Sequence, residues 1–456
     1  MRNYQTLSPA TGKLLHSFPE ISNEEVQTAL DQAHTRYNQD WRFRPVFERA
    51  RIIEKAANIM RVQATELASL ITLEMGKLIS QALSEVELSA SILEYYATHA
   101  ETLLKPVEVP EAPGSVIITQ PIGVLMAIEP WNFPYYQLAR VAGPQLVAGN
   151  VMIVKHARNV PQCALAFARV LEEAGAPEGV YTNLFCSFDQ VNTLIDDFRV
   201  RGVTLTGGER AGAKIAERAG RNLKKVVLEL GGSDPFIVLE DADLEKAVEQ
   251  GALGRLMVMG QVCVAAKRFI IIGKERGRLF LEGLVKAFSA LKAGVPEDEE
   301  TTLGPLVSEQ GMKTLLEQIE TAKKHGAKVV MGGHRVDRPG FYVEPTIITD
   351  ITSDNPLFQE ETFGPVAAIY VVESEIEAIE LANATKFGLG ASVFGADLER
   401  ARMVAGRIQS GMVFINSAAY FAPELPFGGV KNSGFGRELG EMGIGEFVNR
   451  KLVRTA

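Results

Sequence analysis

Of the three cysteines in this 456-residue chain, Cys263 stands in the setting best suited to nucleophilic attack, within Met259-Gly260-Gln261-Val262-Cys263-Val264-Ala265-Ala266. A thiolate is a strong nucleophile. A nearby glycine lets backbone amides come close to whatever the sulfur attacks, which supplies oxyanion donors as well as access. Cys163 and Cys186 sit in apolar stretches, where cysteine serves as a small buried hydrophobe. Taken alone, the Cys263 segment also suits an inert buried thiol.

Four further segments carry groups that a thiol chemistry needs. After an apolar strand at 123–128 comes Glu129-Pro130-Trp131-Asn132-Phe133-Pro134. Its two prolines fix a loop at a strand's carboxyl end, where α/β folds place ligands. Asn132, held there, suits donation to a developing oxyanion, worth about 3 kcal/mol; taken alone, a structural asparagine in a turn is the more ordinary reading. Val226-Val227-Leu228-Glu229-Leu230-Gly231-Gly232 embeds one carboxylate in an apolar strand. Burial raises such a group's pKa and makes it a usable general base, unless local amides simply satisfy it. Lys155 and Arg158 follow the strand 151–155, placed to clasp ribose hydroxyls or a phosphate or to be solvated strand-end charge. Thr206-Gly207-Gly208 opens a helix, as a pyrophosphate at a helix N-terminus requires, but does not match G-x-G-x-x-G. The loops at 360–365 and 426–434 are rich in Gly and Pro and by themselves read only as ordered loops.

These groups need a scaffold, and the hydrophobic pattern supplies one. Ser22 and Glu25 form a capping box ahead of Val26, Ala29, Leu30 and Ala33 at helical spacing. Long helices are expected over about 46–99. Residues 107–118 read as two alternating strands around a Pro/Gly turn, a projecting ribbon that invites pairing with a partner subunit. Short apolar strands then alternate with helices at 123–128, 151–155, 203–206 and 225–230, and again at 235–239, 268–272, 328–331, 366–372 and 411–416. That alternation predicts two α/β units built on parallel sheets.

Composition narrows the function classes. The chain is 46% hydrophobic and 23% charged, ordinary for a globular enzyme of two or three domain-sized units. With 47 basic against 56 acidic residues the net charge is −9, so nucleic acid and anionic membranes find no electrostatic support. No apolar run is long enough to span a bilayer, and Met1-Arg2-Asn3-Tyr4-Gln5-Thr6 lacks a signal-peptide core. Three cysteines form no disulfide framework, and a reducing cytoplasm is expected. His16, His34, His99, His156, His325 and His334 show no ligand spacing, so no metal is expected.

In their order, the motifs resemble the NAD(P)-dependent aldehyde dehydrogenase superfamily: Pro130-Trp131-Asn132-Phe133-Pro134, Lys155, Thr206-Gly207-Gly208, Leu228-Glu229-Leu230-Gly231-Gly232, Gly260-Gln261-Val262-Cys263, Glu361-Thr362-Phe363-Gly364-Pro365 and Pro426-Phe427-Gly428-Gly429. The resemblance runs from Ser8-Pro9-Ala10-Thr11-Gly12 almost to the C-terminus. It implies an α/β fold of two Rossmann-like domains plus a β-ribbon. Residues 1–106 and 122–229 would bind cofactor, 230–435 would be catalytic, and 107–121 with 436–456 would form the oligomerisation element of a homodimer or homotetramer. It implies that Cys263 attacks an aldehyde and that the Asn132 amide and Cys263 N–H hold the oxyanion. Hydride then passes to NADP or NAD, and Glu229 activates the water that hydrolyses the thioester. Lys155 and Glu361 would hold ribose hydroxyls, with Trp131, Gly207, Gly208, Leu230 and Phe363 along the cofactor's path.

Within the superfamily the chain is most similar to succinate-semialdehyde dehydrogenases, through Lys155-His156-Ala157, the stretch 229–238 and the stretch 260–268. Arg140, eight residues after Asn132 and sharing a helix face with Tyr136, stands where such enzymes carry a substrate-gripping arginine; a surface helix charge is the other reading. Met257 stands where some have a second arginine, and Phe421 and Phe427 add apolar walls, so the substrate pocket reads as more apolar than expected. Val258 replaces a usual asparagine. Arg158 stands where many NAD-preferring members have glutamate, which suits the extra phosphate of NADP. Other readings are a dehydrogenase of another short or medium neutral aldehyde, a CoA-acylating enzyme, and an inactive structural or binding relative.

Overall fold

Every residue of the strand Val124–Ile128 is apolar and buried, which suits a strand covered on both faces. In the computed structural model, which describes residues 3–455, it lies inside a six-stranded sheet. The outermost positions 1, 2 and 456 of the expected cofactor and oligomerisation units lie outside the description. The order across the sheet is Gly434–Phe435, Lys225–Glu229, Val200–Thr206, Val124–Ile128, Val151–Lys155 and Tyr181–Asn183. All neighbours are parallel except Gly434–Phe435, which pairs antiparallel with Lys225–Glu229. From Val124–Ile128 the chain winds first to one side and then returns to the other. The strand order therefore reverses between Val124–Ile128 and Val200–Thr206, and a crevice for ligand opens beyond their carboxyl ends.

The second series builds a seven-stranded sheet in the order Lys328–Met331, Thr346–Thr349, Val366–Val372, Ala266–Ile272, Asp234–Val238, Ser392–Phe394 and Phe414–Ile415. Only the edge strand Lys328–Met331 is antiparallel. The chain passes from the end of Lys225–Glu229 to the start of Asp234–Val238 in four residues. The carboxyl edge of the first sheet thus faces the amino edge of the second. Cys263 precedes the strand Ala266–Ile272 and Glu361 precedes Val366–Val372, so both arrive at this junction from the second sheet.

The expected helical stretch at 46–99 is three helices, Val46–Val62, Ala64–Met75 and Ile79–Leu104. They pack with the first sheet into one apolar core, whereas the second sheet has a separate cluster on each face. The helix Pro134–Ala148 is buried at every position, as a helix enclosed on all sides must be. Proline at its first turn and Gly149 at φ 102° delimit it. The ribbon forms as Val107–Glu108 and Ser115–Pro121, joined by the C-terminal strand Val448–Arg454. The hairpin Tyr4–Leu7 with Leu14–Phe18 was not anticipated, its strands being short and mixed in polarity. Among the described residues no helix is long and apolar enough to cross a membrane, and no His/Cys/Asp/Glu group could hold a metal ion.

Candidate active site

The loop that carries Cys263 departs from regular structure to bring the thiol to the junction. After the helix Leu244–Leu256, three consecutive residues take the left-handed region: Val258 at φ 50°, Met259 at φ 54° and Gly260 at φ 72°. A β-branched residue there is strained, so neighbours must impose it. Gln81 Oε1 accepts from the Val258 N–H at 3.3 Å, and the Gln261 N–H and Nε2 both donate to the Val258 carbonyl. Buried Arg255 donates to the Gly260 carbonyl at 2.7 Å. A side chain at Gly260 would meet the Gly364 carbonyl.

Cys263, half-buried, opens onto a cavity of about 240 Å3 with Asn132, Gln137, Thr206, Glu229 and Glu361 on its walls. Burial pushes the thiol up to about 12, against the pull of Arg140 and Lys267. Asn132 is buried and donates one amide N–H to the Gln261 carbonyl at 3.0 Å; an amide has two, which leaves one for a ligand. Glu229, registered beside Thr206 at its strand's end, is 2% exposed and neither carboxyl oxygen has a hydrogen-bond partner. Burial, then the charge of Glu438, hold its pKa well above the usual carboxylate range, against Arg140 and Arg437.

The wall also includes Trp131, Gly207, Gly208, Leu230 and Phe363. Trp131 and Phe363 meet edge-to-face at 5.6 Å. Gly208 caps the helix Glu209–Arg221, and a Cβ there would touch nothing within 4 Å. That open cradle at a helix N-terminus fits a pyrophosphate. Glu361 accepts from the Gly232 N–H at 3.1 Å and pairs with Lys267 at 3.2 Å.

Seven expected site residues lie off this wall: Lys155, Arg158, Arg140, Tyr136, Met257, Phe421 and Phe427. Lys155 donates to the His156 carbonyl at 2.9 Å, and burial lowers its pKa to about 8. Arg158 is ion-paired with Glu20 and stacks 5.0 Å over Tyr4. Arg140 differs most from expectation. It is not a surface charge, being 1% exposed, ion-paired with Glu438 at 2.6 Å and bonded to Thr206 Oγ1 at 3.3 Å, while its Nη1 has no hydrogen-bond partner. The reason is its enclosed helix, where a guanidinium needs an internal anion. It lies 4.9 Å from the Tyr136 ring and 4.4 Å from that of Phe427. Phe421 completes the aromatic group, 5.9 Å from Tyr136 and 6.3 Å from Phe427, while Met257 packs half-buried against the core.

Sequence reasoning passed over Glu438, Glu129 and Lys267 as site groups. Glu129 is buried with neither oxygen hydrogen-bonded, so Glu129, Glu229 and Glu438 share the field of Arg140. The signal for Glu438 was available: an arginine in a wholly buried helix demands a carboxylate somewhere in the chain.

The profile of the aldehyde dehydrogenase family matches residues 1–453. Over 455 residues the chain is 49% identical to a succinate-semialdehyde dehydrogenase (NADP+) of Deinococcus radiodurans, covering 100% of this chain and 95% of that protein. It is 45% identical to a probable succinate-semialdehyde dehydrogenase (NADP+) of Synechocystis, covering 99% of each. The crystal structure of succinic semialdehyde dehydrogenase from Streptococcus pyogenes in complex with NADP+ superposes with a TM-score of 0.97 at 47% identity, covering 99% of each chain.

Proposed function

The chain belongs to the aldehyde dehydrogenase family, and from that premise we propose that it oxidises succinate semialdehyde to succinate with NADP through a thioester on Cys263. The observation that carries this reading is a thiol, an amide with a spare N–H and an unpartnered buried carboxyl on one cavity wall. The Cys263 sulfur attacks the aldehyde carbon, and the Asn132 amide and the Cys263 N–H receive the oxyanion. Bound NADP supplies the hydride acceptor. Glu361 would hold the nicotinamide ribose, Gly207 and Gly208 would admit the pyrophosphate, and Trp131, Leu230 and Phe363 would flank the cofactor. Lys155 and Arg158 would take the adenosine ribose and its 2′-phosphate, with Arg158 released from Glu20. Glu229 takes a proton from the water that attacks the thioester, returning Cys263 as a thiol.

Relatives named for succinate semialdehyde and NADP support the choice of substrate and cofactor. Arg140 is the cation for the far carboxylate, which must compete with Glu438 for it; Tyr136, Met257, Phe421 and Phe427 shape the aldehyde's approach. The same Arg140–Glu438 pair favours a second reading, a short neutral aldehyde lying against the aromatic group. By this proposal residues 1–106 and 122–229 bind cofactor, 230–435 carry the nucleophile, and 107–121 with 436–456 join subunits of a cytoplasmic homo-oligomer.

Initial rates on succinate semialdehyde and butyraldehyde, with NADP and NAD, with and without CoA, test this. The expected result is highest kcat/KM for succinate semialdehyde with NADP and no dependence on CoA. Faster oxidation of butyraldehyde selects the neutral-aldehyde reading, and a CoA requirement overturns hydrolysis by Glu229.

A further inference from the structure

Lys267 is the second residue of the strand Ala266–Ile272 and is 2% exposed. Its ammonium reaches three oxygens: the Cys263 carbonyl at 2.6 Å, the Val262 carbonyl at 3.1 Å and Glu361 Oε1 at 3.2 Å. An ammonium carries three N–H groups, so each has one acceptor. The two carbonyls belong to the peptide units before and after Cys263. A peptide is planar and trans, its C=O and N–H pointing in opposite directions. Anchoring the Val262 oxygen therefore fixes the direction of the Cys263 N–H, and anchoring both carbonyls fixes the Cα–Cβ bond that aims the thiol.

The opposite side of this arrangement is equally tight. A Cβ on Gly232 would lie 2.6 Å from the Cys263 carbonyl oxygen, and one on Gly231 would overlap the Glu361 carboxylate. The Cys263 carbonyl and the Glu361 carboxylate, both bound by Lys267, are thus pressed onto Gly231 and Gly232.

We propose that Lys267 is a positioning residue for the oxidation, aiming the Cys263 N–H and thiol through the flanking carbonyls and joining that aim to the cofactor's ribose site through Glu361. The proposal rests on the assignment of Cys263 and Glu361 above. It deepens that assignment by giving the loop and the ribose carboxylate one shared support. Lys267 also contributes charge. The ionisable groups around the thiol are Arg140 and Tyr136 from the helix Pro134–Ala148, Glu229 and Asp234 at the two strand ends, Glu361 from its loop and Lys267 itself. Of these, Arg140 and Lys267 favour the thiolate, while Glu361 and Asp234 oppose it.

The test compares Lys267→Met, which removes donors and charge, with Lys267→Gln, which keeps donors without charge, in the full-length protein. Three quantities are measured: alkylation of Cys263 by iodoacetamide at about pH 8 without cofactor, kcat, and KM for NADP. Lys267→Met is expected to slow alkylation about tenfold, the effect of one unit in thiol pKa. It should lower kcat on the order of 100-fold, as loss of an oxyanion donor does, and raise KM for NADP. Lys267→Gln is expected to recover part of kcat while its alkylation stays slow. A Lys267→Met protein that melts, alkylates and turns over like the wild type overturns the proposal. So does a fall in kcat with alkylation and KM for NADP both unchanged, which would reduce Lys267 to packing. If Lys267→Met does not fold, Lys267→Gln decides: wild-type alkylation together with wild-type kcat overturns it. Full activity in Cys263→Ala would sink the nucleophile assignment instead, and alkylation of Cys263 in the Lys267 variants would still read the contact between Lys267 and the Cys263 loop.

Discussion

In the two groups proposed to react, burial pushes the Cys263 thiol up to about 12 and holds the Glu229 carboxyl well above its ordinary range. Each must lose a proton to act, so kcat/KM should climb with pH toward the alkaline side; a flat profile across that range would deny these groups their roles. Glu229→Gln keeps the shape of the side chain but accepts no proton. It should give a pre-steady-state burst of NADPH followed by a steady state slower by on the order of 100-fold, the usual contribution of a general base. Loss of the burst with hydrolysis intact would assign Glu229 to the wrong step. Arg140→Leu leaves Glu438 buried without its partner, a loss of about 3 to 5 kcal/mol, visible in denaturant melts. If Arg140 also grips substrate, kcat/KM for succinate semialdehyde should fall about 10- to 150-fold more than for butyraldehyde. Equal losses would confine Arg140 to its pair with Glu438.

Single elements position these residues through their ends. The helix Ile79–Leu104 braces both sides of the reaction centre one turn apart: Gln81 accepts from the nucleophile loop, while Glu85 accepts from the Tyr135 and Tyr136 N–H groups at the start of the helix that follows Asn132. Glu85 is itself held by a fully buried ion pair with Lys77. The nucleophile loop depends on Gly260, the third left-handed residue in its run. Gly260→Ala should lower kcat on the order of 100-fold by displacing the thiol and lower the melting temperature, with cofactor affinity kept. Wild-type turnover would mean the loop tolerates another path. The sequence made Cys263, Glu229 and Asn132 legible because each is an anomaly in its own segment: a thiol after a glycine turn, a carboxylate in an apolar strand, an amide between prolines. The brace was not legible, since Lys77, Gln81 and Glu85 look like the polar face of an ordinary helix until the neighbour that buries them is known. Arg158 was read as free because Glu20 lies far from it in sequence.

At the scale of the molecule, Glu129, Glu229 and Glu438 are buried carboxyls whose pKa is raised first by burial. A carboxyl raised in the folded state contributes stability that is fully present below its unfolded pKa and is lost as pH rises through the folded value. Melting temperature should therefore fall as pH rises above the ordinary carboxylate range. Glu129→Gln should flatten that fall; an unchanged slope would place the pH dependence elsewhere. The two parallel sheets were legible from their apolar strands. The sheet edges were not, because strands as short as Gly434–Phe435 owe their form to the neighbour they pair with. That last pairing bears on how the chain is made. Lys225–Glu229 gains its outer partner only when residues 434 and 435 have left the ribosome, after the whole second sheet has been synthesised. Until then the strand that ends at Glu229 is an open edge on the nascent chain. A chain truncated before residue 434 should therefore contain every strand of the second sheet and yet leave Lys225–Glu229 without its outer partner in the first.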